Sequence, residues 1–183
     1  YPLLLESSND ASEVLAEFFD RDFFLSKMYQ EAERLELENT FFEDPSGLSA
    51  NNRSTAEDLF KLAGFITKEK PKLLEITTLG SRKNSIHTWS SNNQFLNTDG
   101  YLGGKSGFTE PAGQSIVSMF SLPLSETGNR NVAITLLKST DRYKDVTSIL
   151  KFLKSNVYYG GEQDTSLDWV KQKEGVPEIK EPD

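Results

Sequence analysis

Two short stretches carry side chains whose types and spacing suit chemistry at a carbonyl or a carboxylate. Ser7-Ser8-Asn9 sets a hydroxyl and a carboxamide two residues apart where a helical pattern begins. Lys105-Ser106-Gly107 lies within Gly103-Gly104-Lys105-Ser106-Gly107-Phe108-Thr109. Taken alone, Ser-x-Asn reads as helix capping, because Ser and Asn are favoured caps. The Gly-Gly-Lys-Ser-Gly stretch invites a phosphate-loop reading, but position 99 holds Asp where that loop needs its first Gly. The residues that follow are strand-like where the loop needs a helix, so the nucleotide reading is rejected. What stays is a lysine and a hydroxyl on an edge strand, with a small Gly beside them so that a peptide backbone can lie close.

Composition narrows the chemistry further. The 183 residues contain no Cys and one His, His87. Thiolate nucleophiles, Fe-S clusters and Cys-rich zinc sites are therefore excluded, and a histidine-based metal site has almost nothing to build on. His87 flanks Trp89 in an expected strand and is read as structural. No nucleophile-elbow pattern accompanies it. Acid-base chemistry must lean on lysine or carboxylates. A net charge of -8 disfavours nucleic-acid binding. The charge is uneven: residues 1–44 carry 12 acidic and 3 basic side chains, residues 45–160 carry 9 and 14, and residues 161–183 carry 7 and 3. A basic middle could receive a carboxylate-bearing ligand, although an ordinary solvated mixture of charges explains the same counts.

The hydrophobic periods predict the elements that position these residues. A first helix follows Ser7-Ser8-Asn9-Asp10, with Val14, Leu15, Phe18 and Phe19 on its apolar face. A second spans about Asp22 to Leu35, burying Phe24, Met28, Ala32 and Leu35. Asp44-Pro45-Ser46-Gly47 is turn chemistry, and Ser54-Thr55-Ala56-Glu57 reads as a capping box opening a helix that stops before Pro71. From residue 73 the period moves towards two. Strands are predicted at Leu74–Leu79, Ser85–Trp89, Tyr101–Thr109, Ser115–Phe120 and Asn131–Lys138, with a closing helix from about Arg142 to Asn156. This order argues for an α+β domain over residues 1–160: a mainly helical subdomain, then an antiparallel sheet flanked by helices. Residues 161–183 read as an acidic tail or linker. No run reaches the roughly 18 apolar residues that span a bilayer, and the start lacks a basic n-region. It also lacks Met and opens inside an apolar element, Tyr1-Pro2-Leu3-Leu4-Leu5, so the chain is read as a piece of a longer protein.

Ser-x-Asn and Lys-Thr/Ser-Gly, in that order, are two of the three signatures of penicillin-recognising serine enzymes. Their surroundings agree: Leu3-Leu4-Leu5-Glu6-Ser7-Ser8-Asn9-Asp10-Ala11, Asp44-Pro45-Ser46-Gly47-Leu48-Ser49, Ser54-Thr55-Ala56-Glu57-Asp58-Leu59, Gly104-Lys105-Ser106-Gly107-Phe108-Thr109 and Ser139-Thr140-Asp141-Arg142. Over roughly residues 1 to 155 the chain resembles the D-alanyl-D-alanine carboxypeptidases of the S11 peptidase family. The resemblance implies a β-lactamase/transpeptidase-like fold, incomplete at its N-terminal side.

It also implies roles. Ser7 would help relay a proton, Asn9 would hydrogen-bond the substrate peptide, and Lys105 would hold charge near the relay and the terminal carboxylate. Ser106, where the family usually has Thr, would offer its hydroxyl to that carboxylate. Gly107 and Thr109 complete the binding strand, Phe108 would supply a backbone N–H to an oxyanion hole, and Arg142 would help recognise the carboxylate. On residue type alone Arg142 is a surface charge at a helix start.

The family's nucleophile, a Ser-x-x-Lys serine upstream of Ser-x-Asn, has no counterpart here. Ser148-Ile149-Leu150-Lys151 fits the pattern but follows the Lys-Ser-Gly motif and is set aside. The expectation is a serine-type carboxypeptidase trimming D-alanine from peptidoglycan stem peptides through an acyl-enzyme, with its nucleophile in a missing N-terminal part and β-lactams as inhibitors. No metal or organic cofactor is implied, and the resemblance places the protein outside the cytoplasmic membrane. Two other readings stay open: a non-catalytic wall-binding or scaffolding protein, and β-lactamase or endopeptidase activity with the same residues.

Overall fold

The computed structural model describes residues 1–126 and 128–159. The stretch read as an acidic tail, 161–183, lies outside the described residues. Five α-helices are described: α1 (Asn9–Phe18), α2 (Arg21–Arg34), α3 (Ala56–Glu69), α4 (Pro71–Thr77) and α5 (Arg142–Asn156). The strands are β1 (Ser81–Lys83), β2 (Thr88–Ser90), β3 (Tyr101–Thr109), β4 (Gly113–Ser125) and β5 (Gly128–Ser139), and a π-helical turn (Pro2–Glu6) precedes α1. The helices lead, an antiparallel sheet β3-β4-β5 follows, and α5 closes it, as the α+β reading expects.

The core lies between the sheet and α5. Phe120, Leu122, Leu124 and Ile134 from the strands meet Val146 and Leu150 of α5, with Phe95 beneath. The period that predicted α5 is correct, since Val146 and Leu150 are buried and Ile149 and Leu153 pack partly buried against them. On α2 Ala32 is buried while Phe24 and Met28 are half-buried, as is Leu35 at its C-cap.

Several predicted elements change. Leu74–Leu79 is not a strand: residues 71–77 form α4, and Pro71, read as a stop, is its first helical residue, where its fixed φ suits the turn and its missing N–H costs nothing. Ser85–Trp89 contributes only Thr88 and Trp89 to β2, whose partner β1 the alternation did not reveal in three exposed residues. Strands β4 and β5 run beyond Ser115–Phe120 and Asn131–Lys138 towards their shared turn. The cap of α3 is Thr55, one residue later than the predicted box, and its hydroxyl accepts from the Asp58 N–H at 3.1 Å. The apolar face expected of α1 is exposed, with Phe18 79% and Val14 66% accessible, and Ser12 and Ala16 are buried instead.

Two glycines allow close approach to β3, Gly103 by α4 and Gly104 by β4. Gly103 adopts φ +128°, and a Cβ there would lie 2.7 Å from Thr77 Oγ1. At Gly104 a Cβ would meet the Val117 carbonyl oxygen at 2.3 Å. With no Cβ at Gly103, the Thr77 hydroxyl accepts from the Gly104 N–H at 3.0 Å. The helix therefore docks on the strand just before Lys105.

Candidate active site

Ser7 sits between the π-helical turn and α1 in the left-handed region, φ 58° and ψ 39°. A non-glycine residue there costs on the order of 1 kcal/mol. Ser8, not Ser7, is the cap: its Oγ accepts from the Ala11 N–H at 3.2 Å. The capping reading of Ser7-Ser8-Asn9 is thus right for the middle residue, which leaves the outer two available. The Asn9 carboxamide makes no hydrogen bond to other described residues and lines the same groove as Ser7.

Lys105 projects from β3. Its Nζ donates to Ser7 Oγ at 2.6 Å and to the Ser106 carbonyl at 2.5 Å. The two motifs therefore meet across nearly a hundred residues of sequence. Burial holds the Lys105 amine below the usual lysine range, and the positive charge of Arg142 lowers it further. An amine so placed yields its proton more readily and can pass one to or from the Ser7 hydroxyl.

Arg142, the first residue of α5, reaches back so that its Nη1 donates to the Gly107 carbonyl at 2.6 Å. Its Nε is buried without a hydrogen-bond partner. Among the described residues neither Lys105 nor Arg142 forms a salt bridge. Two cations on one groove, neither ion-paired with a carboxylate of the protein, favour an anionic ligand beside them.

Ser7, Asn9, Lys105, Ser106, Gly107, Phe108, Thr109 and Arg142 all line one groove of about 740 Å³. Nothing lies within 4 Å of a Cβ at Gly107, so the strand is bare on that side. Phe108 is exposed, and the Thr109 hydroxyl accepts from the Ala112 N–H at 3.3 Å, fastening the β3–β4 turn. Across the groove stands the loop after α2. The Asp44 carboxylate accepts from the backbone N–H groups of Ser46, Gly47 and Ser49, the Ser46 hydroxyl and the Asn52 carboxamide. Partial burial raises its pKa, but the donors together outweigh that and bring it to about 2.

The sequence reading treated Asp44 as turn chemistry and missed that it organises a groove wall; five donors on one Asp are an extended Asx turn, which Asp-Pro-Ser-Gly signals only in part. It also missed Thr77, hidden in the stretch taken as a strand. His87 is exposed on the β1–β2 hairpin, its ring against Trp89 at 5.2 Å and its Nε2 4.0 Å from Glu6. Ser148 donates to the Lys144 carbonyl within α5 and takes no part in the groove.

Comparison with known proteins agrees with this geometry. Residues 1–137 match the family described as D-alanyl-D-alanine carboxypeptidase, Peptidase_S11. A D-alanyl-D-alanine endopeptidase of Escherichia coli is 29% identical over 150 residues, 76% of this chain and 46% of that protein. Among solved structures, penicillin-binding protein D2 of Listeria monocytogenes in its cefotaxime-bound form superposes with TM-score 0.72 at 28% identity, covering 81% of this chain and 62% of that one. A D-alanyl-D-alanine carboxypeptidase of Mycobacterium tuberculosis gives TM-score 0.70 at 26% identity, covering 86% and 62%. The chain spans about half the length of the curated relatives it matches. With the motifs, the groove and the fold in accord, the chain belongs to the D-alanyl-D-alanine carboxypeptidase family of S11 peptidases.

Proposed function

We propose that this chain is part of a serine-type D-Ala-D-Ala carboxypeptidase that removes the terminal D-alanine from peptidoglycan stem peptides outside the cytoplasmic membrane. The observation that carries the reading is the 2.6 Å contact between Lys105 Nζ and Ser7 Oγ, in a groove shared with Asn9 and Arg142.

On this reading the peptide adds as a strand along β3, with its carboxylate near Lys105, Ser106 and Arg142. A serine Oγ attacks the carbonyl of the penultimate D-alanine and gives up its proton through the Ser7–Lys105 pair. The C–N bond breaks, D-alanine leaves with that proton, and water then hydrolyses the acyl ester. The Phe108 N–H faces the oxygen that gains charge.

The attacking serine belongs to residues outside this chain. An apolar trough of about 360 Å³ between α3, α4 and the sheet supports that assignment. It is lined by Leu59, Leu62, Ile66, Leu73, Leu74 and Met119, and it opens beside Lys105. A helix carrying the nucleophile, from the part of the relatives' length that this chain does not span, would fill it. β-Lactams would acylate the same serine; Listeria neighbours of 28% identity are in cefotaxime- and ampicillin-bound forms. The Escherichia coli relative is named an endopeptidase, which favours as a second reading the cleavage of cross-linked peptides by the same groove.

The test is turnover of a D-Ala-D-Ala pentapeptide and of a cross-linked dimer by the complete protein and its Lys105→Ala variant. Loss of at least about 10³-fold is expected on whichever substrate is preferred. Activity within a few-fold of wild type would overturn the role of Lys105.

A further inference from the structure

Arg142, assigned to carboxylate recognition, sits at a helix start, where four backbone N–H groups lack intrahelical acceptors. Asp141 caps one of them, its Oδ1 accepting from the Lys144 N–H at 3.0 Å. The Arg142 N–H is served from another element: Gln114 on β4 offers its Oε1 at 3.2 Å. The same carboxamide donates its Nε2 to the Thr140 carbonyl at 3.1 Å. One side chain thus holds the chain on both sides of Asp141, and its acceptor and donor ends match the two groups they meet.

The register gives this clamp its reach. Gln114 pairs with Phe108 on β3 and with Ser139 on β5. Its β3 partner adjoins Gly107, whose carbonyl takes the Arg142 guanidinium. A long arginine side chain places its charge only as well as its backbone is placed, and a shift of about 1 Å at a binding group is enough to lower affinity. Ser139 stiffens the same corner, accepting from the Asp141 N–H at 3.0 Å while donating to Asp145 at 2.6 Å.

We infer that Gln114 is a positioning residue for carboxylate recognition: it fastens the start of α5 to the β3–β4 ladder and so fixes the Arg142 guanidinium against the Gly107 carbonyl. This rests on the proposed function only in assigning the anion to a peptide's C-terminal carboxylate. The prediction is selective. Loss of Gln114 weakens ligands with a free C-terminal carboxylate and spares the same ligands as amides.

Binding to the complete protein can be measured with a non-cleavable ether isostere of acetyl-D-Ala-D-Ala, as the free acid and as its C-terminal amide. The wild type is expected to prefer the acid. Gln114→Met, which keeps the length and removes both hydrogen bonds, is expected to reduce that preference about three- to tenfold with amide affinity unchanged. Gln114→Glu keeps an acceptor but adds negative charge beside the anion site, and it is expected to lose at least as much. Preference surviving in both variants, or acid and amide weakening together, overturns the role of Gln114 alone. No acid preference in the wild type overturns the carboxylate reading of the groove, and this inference with it.

Discussion

The sheet with α5 and the α1–α2 pair treat their apolar residues in opposite ways. In the first, Phe120, Leu122 and Val146 are each 0% accessible, and the core closes without help from the leading helices. In the second, Val14, Leu15, Phe18, Phe19 and Phe23 are all exposed. Exposed apolar residues clustered on adjoining helices mark a surface that another element covers. The difference separates two tasks. The self-contained half carries Lys105, Ser106 and Arg142, whereas the open half and the trough beside Lys105 leave apolar surface uncovered among the described residues.

Four substitutions sharpen or break that contrast. Phe120→Ala should cost about 3–5 kcal/mol in a denaturant titration, because the ring is fully buried among strands that cannot collapse around a cavity. A loss below about 1 kcal/mol would show that the sheet half does not carry the stability. Next in size, Gly104→Ala drives a Cβ to 2.3 Å from the Val117 carbonyl oxygen. It should destabilise by about 1–3 kcal/mol, with thermal melting as the readout. Melting unchanged from wild type would mean that the β3–β4 pairing is loose at Gly104.

The groove wall gives a smaller, pH-dependent effect. Asp44 is held at about 2, below its ordinary value of 3.8, so its stabilising contribution is present above pH 4 and lost as pH falls towards 2. Asp44→Ala should abolish that part of the acid sensitivity, worth on the order of 1 kcal/mol after solvent screening. Parallel stability curves for wild type and variant from pH 5 to 2 would contradict it. The smallest effect belongs to Phe18→Ala: with the ring exposed among the described residues, the substitution changes stability by less than about 0.5 kcal/mol. A loss above about 2 kcal/mol in the complete protein would show that residues beyond this chain cover the α1 face.

How far these features could be read from sequence follows the same division. The span of α5 was legible because an Asp cap and a clean apolar stripe coincide with a helix that packs on the sheet. Strand β3 was legible from its Gly- and turn-bounded run. Helix α4 was not, since Lys72-Leu73-Leu74-Glu75-Ile76 suits both periods and only the tertiary seam at Thr77 decides between them. The face of α1 is apolar as its period predicts, yet exposed among the described residues, because periodicity reports that a face needs cover and not where the cover comes from. At the site, the residues of both motifs were legible through the family resemblance, and all eight line one groove. The Gln114 clamp was invisible, since it depends on the register of β4 against two strands and a helix start.

The central claim is that this groove serves a serine contributed from outside the chain. Intact mass spectrometry of the complete protein after incubation with a labelled penicillin, followed by peptide mapping, tests it directly. The account predicts one covalent adduct per molecule on a serine upstream of Tyr1. An adduct on Ser7 or Ser106, or none at all, would contradict it.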